Sequence, residues 1–198
     1  MLIMLIAAVC IIIPTSESNA AEAEKDIVYT DASNSNGNFD QSGTGTKTDP
    51  YKLFEKAFEN VKDGGTIYII NQAFLNTDDT TNPYVLDKNV TIKAAPGSEG
   101  ASLSVRRSGL LLKGDVRFEN ISLDFASKCH DSIFANGHKL ELINVSRMAG
   151  SRDIDIFAGS LNDSGNTDMT SNITIEVNNN AHAVTPGKSD YKLGSIYA

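Results

Sequence analysis

Two stretches of the chain repeat at a fixed interval. Residues 110–122 and 134–146 align so that Val116 matches Leu140, Phe118 matches Leu142, Asn120 matches Asn144, Ile121 matches Val145 and Ser122 matches Ser146. Each partner lies 24 positions after its counterpart. A period between about 20 and 50 residues marks a solenoid, in which each repeat buries its apolar face only against its neighbours. The competing reading is two unrelated β-hairpins of similar pattern.

Within each repeat, apolar and polar residues alternate. Val116 and Phe118 point one way, Arg117 and Glu119 the other; Leu140 and Leu142 likewise oppose Glu141. That is strand periodicity. A short strand, a corner at an asparagine and a second short strand (Ile121, Leu123 and Phe125 against Ser122 and Asp124) describe one coil of a parallel β-helix. Stacked at the strand spacing of about 4.8 Å, Asn120 and Asn144 would form a structural ladder. Their amides can bond up the stack, and asparagine tolerates the bent backbone of a corner.

Other segments fit the same plan. Strands are expected at residues 66–70, 89–94, 102–105, 154–157 and 172–177. Val90 precedes Val116 by 26 positions and Ile173 follows Leu140 by 33. The longer interval fits an insertion at 160–171, rich in Gly, Asn, Asp and Ser, and such insertions lie on a solenoid's flank and often bind. Ahead of the coils, Asp49 and Pro50 read as the start of a helix spanning 50–64, with Gly64 as its stop. Leu53, Phe54, Ala57, Phe58 and Val61 share one face, and Lys52, Glu55, Lys56, Glu59 and Lys62 cover the other. Laid over the first coil, such a helix would cap the solenoid's open end.

Residues 1–14 are almost unbroken apolar, shorter than the ~20 residues a membrane span needs, and Ser18, Asn19 and Ala20 supply small residues for cleavage. Residues 1–20 therefore read as a secretory signal, although its first basic residue comes only at Lys25. Val9 is too large to precede an acylated Cys10. Cleavage after Ala20 removes one carboxylate, Glu17, from a chain of formal charge −8, leaving about −7 and a single cysteine, Cys129. One thiol excludes a disulfide framework, so packing and sheet hydrogen bonds must hold the domain together. The negative charge argues against a nucleic-acid partner. Residues 21–49 read as a leader, a first strand and a polar loop; the coils fill 65–198, and the chain is expected to continue into further domains. An uncovered last coil would make the piece aggregation-prone.

Three pieces together resemble the pectate-lyase-like right-handed parallel β-helix family, in particular the N-terminal region of secreted or cell-wall-attached bacterial surface proteins. They are residues 29–37 with Gly43 to Pro50 after them, the helix followed by residues 63–70, and the coil pattern. In the lyases of this family, the resemblance implies Ca²⁺ held by aspartates projecting from one sheet, with an Arg or Lys abstracting the proton beside a uronate carboxylate. The nearest candidates are Asp153 and Asp155, which share a face if Ile154 and Ile156 point inward, with Arg147 and Arg152 close in sequence. The competing reading is a solvated outer face. A second oxygen-rich stretch, Asp31, Asn34, Asn36, Asn38 and Asp40, offers Ca²⁺ ligands, but without EF-hand spacing, and a plain turn-rich loop is the favoured reading. Cys129 and His130 are adjacent and point apart on a strand, which disfavours a nucleophilic pair. His138 and His182 stand apart from any zinc spacing. Sequons at Asn89, Asn120, Asn144, Asn162 and Asn172 are read as chance.

Two functions compete. The favoured one is a non-catalytic, secreted or cell-surface module, an adhesin or scaffold binding a glycan or matrix ligand through flank loops. The other is a calcium-dependent lyase or hydrolase acting on acidic glycan, which rests on fold alone.

Overall fold

The computed structural model describes residues 24–33, 42–75, 82–106, 109–125, 132–148, 154–159 and 172–176, and the backbone of 189–190 and 196–197. Strand β1 (Lys25–Thr30) and helix α1 (Phe54–Asn60) lead. Next come β2 (Val61–Ile69), β3 (Gln72–Leu75), β4 (Tyr84–Leu86), β5 (Val90–Ala94), β6 (Ser102–Val105), β7 (Leu110–Leu112), β8 (Val116–Glu119) and β9 (Ser122–Phe125). The chain closes with β10 (Ser132–Phe134), β11 (Leu140–Ile143), β12 (Ser146–Met148), β13 (Asp155–Phe157), β14 (Ile173–Glu176), β15 (Ser189–Asp190) and β16 (Ile196–Tyr197).

The described residues form an all-β fold with one short helix, their strands arranged in three sheets. The first runs β1-β2-β5-β8-β11-β14, the second β3-β6-β9-β12-β15 and the third β4-β7-β10-β13-β16. From β2 onward the chain visits first, second and third sheet in that order and then returns to the first. Every pairing is parallel except β12 with β15. Two hairpins would pair antiparallel; the repeated segments instead lie side by side in parallel. Leu140 is in register with Val116, Leu142 with Phe118 and Ser146 with Ser122.

Alternation sets the core. In the first sheet Val28, Ile67, Ile92, Phe118 and Leu142 form one inward row, each at most 1% exposed. Leu103 and Leu123 from the second sheet, and Leu110, Ile133 and Ile156 from the third, meet them in a single cluster. Burying a side chain of this size stabilises by about 1.5–3 kcal/mol, so parallel stacking of alternating strands is self-reinforcing.

The start of the domain departs from the sequence expectation. The helix is shorter than 50–64, and its N-cap, Leu53, has no side-chain cap bond. Asp49 serves a different purpose: its Oδ2 accepts from Thr44 N–H at 3.0 Å. Tyr51 is committed to the β1 edge: its N–H donates to Tyr29 O, and its carbonyl accepts from Asp31 N–H, both at 2.9 Å. Tyr29 N–H donates to Gly45 O at 2.9 Å as well. Gly64 lies inside β2 with φ +77°, three residues beyond the helix C-cap, Val61.

The end is thus closed by two elements. Segment 42–51 satisfies the edge of β1, and α1 covers the apolar interior with Phe54, Ala57 and Phe58. Phe54 and Phe58 both meet Tyr84 edge-on, with centroids 6.5 and 6.0 Å apart. Lys88 fastens the helix from the far side. Its Nζ donates to the carbonyls of Phe58, Glu59 and Val61 at 3.3, 3.0 and 2.6 Å, meeting the acceptors that a helix C-terminus leaves unpaired.

Candidate functional site

The outer face of the first sheet is framed by side-chain ladders at both of its corners. On the side leading to the second sheet, Asn71 Nδ2 donates to Asp31 Oδ2 and Asn144 Nδ2 to Asn120 Oδ1, each at 2.9 Å. On the opposite side each rung caps a backbone N–H one round later. Asp63 Oδ1 accepts from Asn89 N–H (2.7 Å), Asn89 Oδ1 from Asp115 N–H (2.9 Å) and Asp115 Oδ1 from Lys139 N–H (3.0 Å). The side-chain amides of Asn89, Asn120 and Asn144 each donate to a neighbouring side chain.

Between these ladders the outward residues form two rows. Register places Tyr29, Tyr68, Lys93 and Glu119 in one, and Thr66, Thr91, Arg117 and Glu141 in the other. Tyr29 and Tyr68 stack with centroids 5.1 Å apart at 18°. The Lys93 ammonium lies 5.2 Å from the Tyr68 ring centre. Tyr68 therefore has Tyr29 on one face and Lys93 on the other, so it is not a flat platform for a sugar. Arg117 donates from Nε and Nη2 to Glu119 Oε2, both at 3.0 Å, and Lys139 Nζ lies 3.1 Å from Glu141 Oε2.

Loop 95–101 stands beside this face. Where neighbouring rounds turn the same corner with Ile70 and Asn71, or Asn120 and Ile121, this round inserts a self-held excursion. Its feet are fixed: Ala95 N–H donates to Ile69 O (2.8 Å) and Ser102 N–H to Asn71 O (3.0 Å). Ser98 N–H bonds Ala95 O at 2.9 Å, and Ala101 N–H bonds Ser98 O at 3.2 Å. Ala95 and Ala101 are buried, while Pro96, Gly97, Glu99 and Gly100 reach solvent. A groove of about 310 Å³ opens between loop and sheet, lined by Tyr68, Lys93, Ser98, Glu99, Glu119 and Asn120 among others. That is the lower end of the ~300–1,000 Å³ of small-molecule sites. A smaller depression of about 200 Å³ lies at the other ladder, between Asn89, Asp115, Arg117, Lys139 and Glu141.

The residues proposed from sequence are distributed elsewhere. Asp155 lies on β13 in the third sheet, opposite Ser132, with Ile154 and Ile156 fully buried on either side. Arg147 lies on β12 in the second sheet, in register with the core residue Leu123. Asp155 and Arg147 thus sit on different sheets. Asp153 and Arg152 lie outside the described residues, as do Asn34, Asn36, Asn38, Asp40, Cys129, His130, His182 and the 160–171 insertion. Asp31 is 8% exposed, and its two oxygens accept from Ser33 N–H and Asn71 Nδ2 at 3.0 and 2.9 Å. Its carboxylate holds a corner. Among the described residues no group of three or more His, Cys, Asp or Glu is placed to hold a metal ion.

Sequence reasoning missed the groove. Pro96, Gly97 and Gly100 do signal a turn, but Lys93 and Tyr68 read as ordinary outward strand positions. Compared with family models, curated proteins and solved structures, the chain matches none.

Proposed function

We propose that the chain is a right-handed parallel β-helix of the pectate-lyase-like type, exported behind residues 1–20. In this reading it is a non-catalytic surface adhesin or scaffold that takes a glycan or matrix ligand on its flank. Support for the fold comes from the fixed visiting order of three sheets whose pairings are parallel apart from β12 with β15, since parallel crossover connections are right-handed in about 98% of cases. Support for binding comes from the groove under loop 95–101. Backbone hydrogen bonds to the preceding round anchor that loop at both feet, which suits recognition better than a mobile flap would.

The test is a binding and turnover screen. The exported chain is applied to immobilised neutral, acidic and matrix polysaccharides, with and without Ca²⁺, while unsaturated products are followed by ultraviolet absorbance. Retention without product formation supports the binding module. Calcium-dependent turnover lost in Asp155→Ala would replace it with the lyase reading.

A further inference from the structure

We propose that Lys93 is the recognition centre of the groove and binds one isolated anionic group on an otherwise neutral, hydroxyl-rich ligand. This rests on reading the groove as the ligand site. The other cations on this face are occupied, Arg117 by Glu119 and Lys139 by Glu141. Lys93 differs: among the described residues its ammonium has no carboxylate or hydrogen-bond partner, and its contact is the Tyr68 ring. It is half-buried at the groove wall. A cation–π contact supplies part of what an ammonium loses on leaving water, but it leaves the three N–H donors of a lysine to be met.

The surroundings define what meets them. Glu99 and Glu119 line the same groove, so an anion attracted at Lys93 is repelled by the carboxylates that share it. A polyanion with a charge on every residue would meet both carboxylates. A ligand bearing one charge among hydroxyls would not, and its hydroxyls would find acceptors in Glu99 and Glu119 and a partner in the Ser98 hydroxyl. The chain's formal charge of −8 acts in the same direction. Lysine presents a point charge, unlike the planar fork of arginine, so a carboxylate and a sulfate ester meet the same requirement. The ligand class is a neutral glycan carrying a single acidic sugar.

The experiment is calorimetric titration of the exported chain with three disaccharides of one linkage: one glucuronate and one glucose, the fully neutral counterpart, and a monosulfated counterpart. A polyuronate is the fourth probe. The acidic disaccharide is expected to bind at least tenfold tighter than the neutral one, with the gain shrinking as salt rises. Lys93→Gln is expected to erase that gain, whereas Lys113→Gln, at another corner, is expected to keep it. Gain with both acidic probes assigns a bare charge; gain with one assigns the source. The polyuronate is expected to bind more weakly per charged residue than the glucuronate disaccharide. Equal affinity of neutral and acidic probes, or an unchanged preference in Lys93→Gln, overturns the proposal while leaving the groove as a glycan site. Absence of binding by every probe overturns both.

Discussion

Asn144 Nδ2 donates to Asn120 Oδ1 across 2.9 Å, and the two residues share a left-handed backbone, with φ 52° and 56°. Each meets two demands: the corner needs positive φ, and the stack needs a side chain that both donates and accepts. Asn144 is 6% exposed, so water cannot easily replace the lost partner. Asn144→Ala forfeits the bond, about 1 kcal/mol, and loses the polar side chain that lets asparagine adopt left-handed backbone, a conformation that costs other side chains about 1–2 kcal/mol. Asn144→Gly forfeits only the first. Urea titration is expected to show a loss of about 2–3 kcal/mol for the alanine and about 1 kcal/mol for the glycine. Equal losses would show that the backbone contributes nothing.

That pair was legible in the sequence because side chain and backbone favour the same residue type at the same interval. The opposite ladder was not. Asp63, Asn89 and Asp115 each bond a backbone N–H of the next round, so the receiving position tolerates any residue with an N–H, and Lys139 fills it. The helix boundary failed for a related reason. An Asp-Pro step opens a helix or leads into an extended bridge, and only the distant partner Thr30 decides for the bridge at Tyr51. Lys93 illustrates the limit for the site. Nothing in its neighbours along the chain tells that Tyr68, 25 residues earlier, lies beneath it.

Lys88 is expected to be worth more to stability than its ion pair suggests. Its side chain is 19% exposed and donates to three carbonyls at the end of α1, whereas its partner Glu24 is 53% exposed. Exposed pairs contribute about 0–1 kcal/mol, and hydrogen bonds to charged groups about 1.5–3 kcal/mol. Lys88→Met should therefore destabilise by about 2 kcal/mol in urea titration, and Glu24→Gln by less than about 1 kcal/mol. A larger effect at Glu24 would place the stabilisation in the ion pair.

Aromatic residues on opposite faces should respond very differently. Phe118 is fully buried in the first sheet's inward row. Phe134 faces outward from the third sheet and stacks on Phe157, centroids 5.2 Å apart at 15°. Phe118→Ala is expected to lose about 3–5 kcal/mol, enough to unfold a marginal domain. Phe134→Ala is expected to lose about 1 kcal/mol, in the range of a single aromatic pair. Thermal melts monitored by circular dichroism distinguish them, and comparable losses would contradict the assignment of faces.

The glycine at 45 is a steric requirement of the closed end. Its φ is +71°, and a Cβ there would run into the Tyr51 ring. Gly45→Ala should displace segment 42–51 and expose the edge of β1. The expected result is faster amide exchange confined to residues 28–31 and a rise in aggregation, since an open strand edge templates pairing. Exchange unchanged at Tyr29 and Asp31 would show that the segment tolerates the displacement.

The other end of the first sheet is expected to drive self-association. Its inward row begins at Val28, fully buried beneath the closed end, and finishes at Ile175, which is 41% exposed. Among the described residues no strand lies beyond β14. Because segment 42–51 already occupies the edge of β1, head-to-tail stacking of two copies is blocked there, and association should be tail to tail. Such contacts close on themselves and stop at a dimer. Sedimentation velocity over a concentration series is expected to show a reversible dimer of the exported chain. Ile175→Lys places a charge on that edge, a device that natural sheets use against pairing, and should leave a monomer with its melting temperature within a few degrees of the parent. Higher oligomers in the parent would mean that the closed end is not sealed, and a dimer that persists in Ile175→Lys would move the interface to another face.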